Sequence, residues 1–215
     1  MLEVFKNLAI RGSSEKLDAF IAGVSDHLSS GWSRDRDAET RLARAPSPGR
    51  YYVFRCEARA DRPALSLFLL GKNSALEVSN IVPRGVGSLT RVQYNAALDE
   101  FVEQSARSIA ERLGLEVSVS SDRQPITHWV SEEAARRLRV FSLAANKGTG
   151  SSHPLDFQRW ASFLIQVHQD NTRLDSHTLQ RWLIEEEGWP AETAIELAVE
   201  FGFAQDLLKA YDAGR

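Results

Sequence analysis

Between Met1 and Asp122 the chain alternates strand-like and helix-like hydrophobic patterns, and beyond Pro125 only the helical period remains. Leu2, Val4, Leu8 and Ile10 fall at even positions, as a half-buried strand requires, although Lys6 breaks the series. Leu17, Phe20, Ile21, Val24 and Leu28 then recur at helical spacing, with Ser13 or Ser14 available as N-cap and a stop expected by Gly31. The arginine-rich stretch from Trp32 to Arg50, closed by Pro46-Ser47-Pro48-Gly49, reads as a strand followed by a loop, or as one long loop. Tyr52, Phe54, Cys56 and Ala58 alternate with Val53, Arg55, Glu57 and Arg59, giving one apolar and one mixed face. Leu65 to Leu70 is apolar on both faces and predicts a central strand. Gly71-Lys72-Asn73 turns the chain into a run carrying Leu76, Val78 and Val82, and such short turns favour an antiparallel meander. Thr90 and Gln93 form a capping-box pattern for a second helix with Tyr94, Leu98, Phe101, Val102, Ile109 and Leu113 inward and Gly114 at its end. Leu115, Val117 and Val119 alternate in a last strand. The expected fold class is α+β: a mostly antiparallel sheet with two covering helices over residues 1–122.

Residues 123–215 are expected to form an all-helical bundle of about four helices. Ser131 can cap the first, which carries Leu138 and Phe141. Pro154 suits the first turn of the second, with Phe157, Trp160, Leu164 and Val167 inward. Ser176 to Glu187 forms the third, and Pro190 opens the fourth, with Ile195, Ala198, Val199 and Leu208 as core candidates.

Composition narrows the picture. With 215 residues, 43% hydrophobic and 26% charged, the chain can fill a core, which excludes wholesale disorder. No apolar run approaches the ~20 residues of a membrane helix, and the acidic third residue and lack of a long apolar segment do not suit a signal peptide. The single Cys56 excludes an internal disulfide framework, so a reducing, cytoplasmic setting is expected. A net charge of −3 does not suit a dedicated duplex-DNA binder.

Candidate chemistry is sparse: G-x-S-x-G, Walker A, H-E-x-x-H, C-x-x-C and EF-hand patterns do not occur. The densest polar run is Asn146 to Pro154. There Lys147, Gly148, Gly150, Ser151, Ser152 and His153 precede a helix start and could hold an anion, with His153, Lys147 and Ser152 as catalytic candidates; the same run also reads as a solvated connection in which a serine caps the helix. Pro83 to Ser88 has a G-x-G but lacks the rest of a dinucleotide fingerprint. His168, Asp170, Asp175 and His177 are possible metal ligands at a spacing that matches no helix-borne pair, and Asp175 or Ser176 is more economically an N-cap, with Asp170-Asn171 a turn. Eight arginines from Arg34 to Arg62 interleave with five acidic residues and read as a solvated sheet face with cross-strand ion pairs; alternatively Trp32, Tyr51 and Phe68 could stack on single-stranded RNA.

The sequence therefore favours a cytoplasmic, non-catalytic protein-interaction factor of a bacterial accessory, antitoxin or immunity-like type, without cofactor. Its recognition surface would draw on Arg34, Arg36, Arg55, Arg59, Glu185 and Glu186, with another protein as partner. An enzyme acting on a phosphorylated or nucleotide substrate at Lys147–His153, with His128 as a further candidate, is the alternative. An RNA-binding module is the second alternative.

Overall fold

The computed structural model describes residues 1–46 and 49–214, so the Ser47-Pro48 part of the expected loop lies outside the described residues. The chain folds as two compact units, Val4–Asp122, and Met1–Glu3 together with Arg123–Arg215. Its first strand, β1 (Leu2–Glu3), belongs to the second of these.

In the first unit six strands make one antiparallel sheet: β2 (Leu8–Arg11), β3 (Trp32–Arg34), β4 (Arg50–Cys56), β5 (Leu65–Lys72), β6 (Ala75–Pro83) and β7 (Glu116–Val119). Their order is β3-β4-β5-β6-β2-β7. The doubly apolar run is central, as its pattern predicts: Leu67 lies opposite Phe54 on β4 and Ile81 on β6 and is fully buried. The β5–β6 turn places Asn73 at φ 48°, a left-handed geometry that asparagine tolerates better than most residues. Two helical segments supply the rest of the core. In α1 (Ser14–Asp26), Ser13 accepts from the Lys16 amide, and Leu17, Phe20, Ile21 and Val24 are buried. α2 (Arg36–Leu42) is a short surface helix, and α3 (Arg91–Phe101) opens with both hydrogen bonds of the Thr90–Gln93 capping box. A π-turn at Val102–Ala106 joins α3 to α4 (Arg107–Arg112), and Gly114 follows at φ +61°. Phe101 packs against Trp32 and Phe54 with ring centroids 5.3 and 5.1 Å away.

Two features differ from the sequence expectation. Leu2 to Ile10 is not one strand: Asn95 accepts from the Lys6 amide (2.8 Å) and donates to the Val4 carbonyl (2.9 Å). Those backbone groups are thereby drawn away from the sheet, and β1 and β2 are separate. Part of the expected Trp32–Arg50 loop is α2, whose amide at Ala38 is capped by Asp35. With no buried residue, α2 carries no apolar period to announce it.

In the second unit, β1 pairs with β8 (Arg123–Gln124), and four helices follow: α5 (Glu132–Ala144), α6 (Pro154–Gln169), α7 (Ser176–Glu185) and α8 (Ala191–Ala213). Leu2 is fully buried in their core beside Leu138, Phe141, Trp160, Phe163, Leu183 and Phe201. Phe141 stacks on Trp189 at 5.3 Å, and the Trp189 indole donates to Ser142 Oγ (2.8 Å). Three expected core residues point outward instead: Phe157 on α6, and Ile195 and Val199 on α8. Among the described residues no helix is long and apolar enough to cross a membrane.

Candidate functional site

The α8 helix has 23 residues, about 34 Å of axis. One side, carrying Ala194, Leu197, Ala198 and Phe201, is buried. Phe201 stacks on Phe163, and Gln205 donates to the Leu164 carbonyl (3.0 Å), which holds α8 against α6. The side turned away from this core carries Ile195, Val199, Phe203 and Leu207 at successive i+4 positions, and Tyr211 continues the spacing. Residues four apart are neighbours on a helix surface, so these side chains form one continuous ridge. The first four are 48–68% exposed. Glu192, Glu196 and Glu200 run as the adjacent row, and Asp206 lies on the other flank. Lys209 is the single basic residue of the helix. The face is therefore apolar with an acidic rim.

The Lys147–His153 run is brought together as the Asn146–Pro154 connection, but its polar groups are used within the protein. Lys147 Nζ donates to the Glu187 carbonyl oxygen. The Gly148 amide donates to Asn146 Oδ1 (2.9 Å), and the Thr149 and Gly150 amides donate to the Asn146 carbonyl. Ser152 Oγ donates to the Thr149 carbonyl (2.6 Å), and Ser151 Oγ donates to the Glu200 carboxylate (2.9 Å). His153, rather than a serine, is the N-cap of α6, its Nδ1 accepting from the Leu155 amide (3.3 Å). Gly150 sits at φ +61°, where an added Cβ would come within 3.2 Å of Thr193. Both facts explain a glycine there without a ligand. His128 packs edge-on against Trp129.

Most arginines and glutamates of the expected recognition surface are engaged by other charged groups of their own unit. Arg34 makes a bidentate pair with Glu39 (2.8 and 2.9 Å), which raises the Arg34 pKa above its ordinary value. Arg55 pairs with the buried Asp35. Glu100 accepts from Arg59 (2.6 Å), Arg62 (2.5 Å) and the Trp32 indole (3.0 Å). Arg62 is buried, which corrects its placement on a solvated face, and its Nη2 also lies 3.2 Å from Cys56 Sγ. Burial pushes the Cys56 thiol pKa up, against the opposing pull of Arg62. Arg36 is exposed at the start of α2. Glu185 pairs with Arg181, and Glu186 pairs with the N-terminal amine.

No family model, curated protein or solved structure matches this chain.

The four metal candidates serve other contacts or face solvent. His168 Nε2 lies 2.7 Å from Asp212, and Asp170 accepts from Gln166 (2.9 Å) and from Ser131. Asp175 caps α7 through the Thr178 amide (2.8 Å), while His177 is exposed. Among the described residues no three His, Cys, Asp or Glu side chains converge as a metal site. The α8 face was not foreseen from the sequence. Ile195 and Val199 carry the same helical period as core residues, and only the packing of Phe201 on Phe163 decides which side is inward.

Proposed function

We propose that this chain is a non-catalytic protein-interaction factor that docks a partner on the outer face of α8, and that the partner presents an apolar surface with a basic rim. The observation that carries this reading is the ridge of Ile195, Val199, Phe203 and Leu207, each about half exposed or more. Contiguous exposed apolar patches of this kind mark interaction surfaces, whereas scattered ones do not. Charge selects the partner. Two α8 faces from copies of this chain would bring Glu192, Glu196 and Asp206 against the same acidic residues, with Lys209 alone to offset them. A basic rim complements them and would speed encounter. The alternative of an anion-processing enzyme at Lys147–His153 draws less support, because Lys147 is engaged and the Glu200 carboxylate at Ser151 would repel an anion.

The reading is tested by quantitative affinity purification from the protein's own cells. Wild type would be compared with Phe203→Asp and with Leu143→Asp, a substitution at another exposed apolar position. A protein with a basic, apolar segment should be retained by wild type and Leu143→Asp and lost with Phe203→Asp. Identical retained sets for all three would overturn the reading.

A further inference from the structure

The six-stranded sheet ends on β3 at one side and on β7 at the other. β3 is three residues long and leads directly into α2, and so short an edge offers little to a further strand. β7 lacks such protection. Its residues, Glu116 to Val119, include no proline or lysine and pair with β2 without a bulge, and no strand lies beyond it among the described residues.

The register fixes which backbone groups of β7 are left open. Ala9 lies opposite Ser118 and Arg11 opposite Glu116, and one step further the Ser120 amide donates to the Asn7 carbonyl (2.9 Å). On the other side of β2 the Gly12 amide donates to the Ser74 carbonyl (3.1 Å). Because bonding alternates along an antiparallel strand, Ile10 is turned to β6, while Ala9 and Arg11 are bonded to Ser118 and Glu116. The N–H and C=O groups of Val117 and Val119 therefore point away from the sheet. Their side chains are half-buried against the sheet core, whereas Glu116 and Ser118 are exposed on the opposite face.

This edge is complementary to itself. A two-fold axis through Ser118, perpendicular to the sheet, lays a second β7 antiparallel to the first and keeps both cores on the same side. Val117 then faces Val119 of the second copy, and the two exchange both N–H···O bonds; symmetry repeats the pair, which satisfies every open group. Each valine also gains an apolar cross-strand neighbour. On the exposed face Ser118 meets Ser118 and Glu116 meets Ser120, so no like charges are opposed. A slip by one residue would set the valines against Ser118 and Glu116, which excludes it.

We propose that β7 pairs with β7 of a second copy of this chain, joining two sheets edge to edge. The interface lies in the sheet unit and does not depend on the α8 reading. It is tested on the full chain by sedimentation velocity across a range of concentrations. The mass should rise to twice that of the chain. Val119→Pro removes an outward N–H without costing a bond to β2 and should weaken the dimer by about tenfold or more. Ser118→Arg, which sets two guanidinium groups face to face at an exposed position, should weaken it too. Ser118→Cys should form a disulfide across the axis under mild oxidation, because opposed residues of this kind lie within disulfide reach and Cys56 is buried. Glu116→Cys, which faces Ser120 instead, should not, and Phe203→Asp should leave the dimer intact. A chain monomeric at every concentration, a dimer untouched by both Val119→Pro and Ser118→Arg, or equal cross-linking from Glu116→Cys and Ser118→Cys would each overturn the proposal.

Discussion

Phe201 and Phe203 stand two positions apart on one helix and are expected to behave in opposite ways. Phe201 is buried against Phe163, so Phe201→Ala should destabilise the helical unit by ~3–5 kcal/mol through lost burial and a cavity. Phe203 is 68% exposed, and Phe203→Ala should change stability by less than ~0.5 kcal/mol. Urea unfolding of both variants checks the pair; a large loss at Phe203 would make the outer face structural. Glu100 is the matching test in the sheet unit. Glu100→Gln would leave the buried Arg62 guanidinium without its countercharge, at a cost of ~3–5 kcal/mol in the same measurement. Cys56 adds a pH dependence. Its folded pKa is raised above the ordinary 9.0 by burial, so the unfolded chain loses its thiol proton first. The resulting contribution is fully present below pH 9.0 and is lost as pH rises through the folded value; Tyr52 and Tyr94, raised above 10.0, act likewise at higher pH. The urea midpoint should therefore fall above about pH 9, and less steeply in Cys56→Ala. A midpoint flat across that range would contradict the burial of these groups.

At the scale of elements, β5 makes the sharpest prediction. Leu67 is enclosed between β4 and β6, and Leu67→Ala should cost ~2–5 kcal/mol by thermal unfolding; a loss below about half a kcal/mol would place that strand at the surface. This strand was legible because both faces are apolar, and the stretch from α3 to α4 was legible because Thr90 and Gln93 mark its start and Gly114 its end. The α2 helix was not, since seven residues without a buried side chain leave no period to read. Nor was the π-turn at Val102–Ala106, whose apolar residues fit an uninterrupted helix equally well. Separation of β1 from β2 depends on Asn95, about ninety positions away, which no local pattern around Lys6 reveals.

At the scale of the whole molecule, the change of hydrophobic period near Pro125 foretold a sheet region followed by helices. The proposed docking surface was harder to read, for a physical reason. The α8 helix is apolar on nearly every side, so sequence periodicity cannot separate Leu197 and Phe201, which pack inward, from Val199 and Phe203, which do not. The arginine stretch was visible as charge, but composition cannot show that four of its members are engaged by Glu39, Asp35 and Glu100. The central claim is that the outer α8 face is occupied by a basic partner in the cell. Its most direct measurement is the photo-crosslinking product of a light-activated residue placed at Phe203 in living cells. A discrete adduct to another protein through a basic, apolar segment is expected, and Glu196→Lys should abolish it. An adduct only to a second copy of this chain, or none above that from a light-activated residue at Leu143, would contradict it.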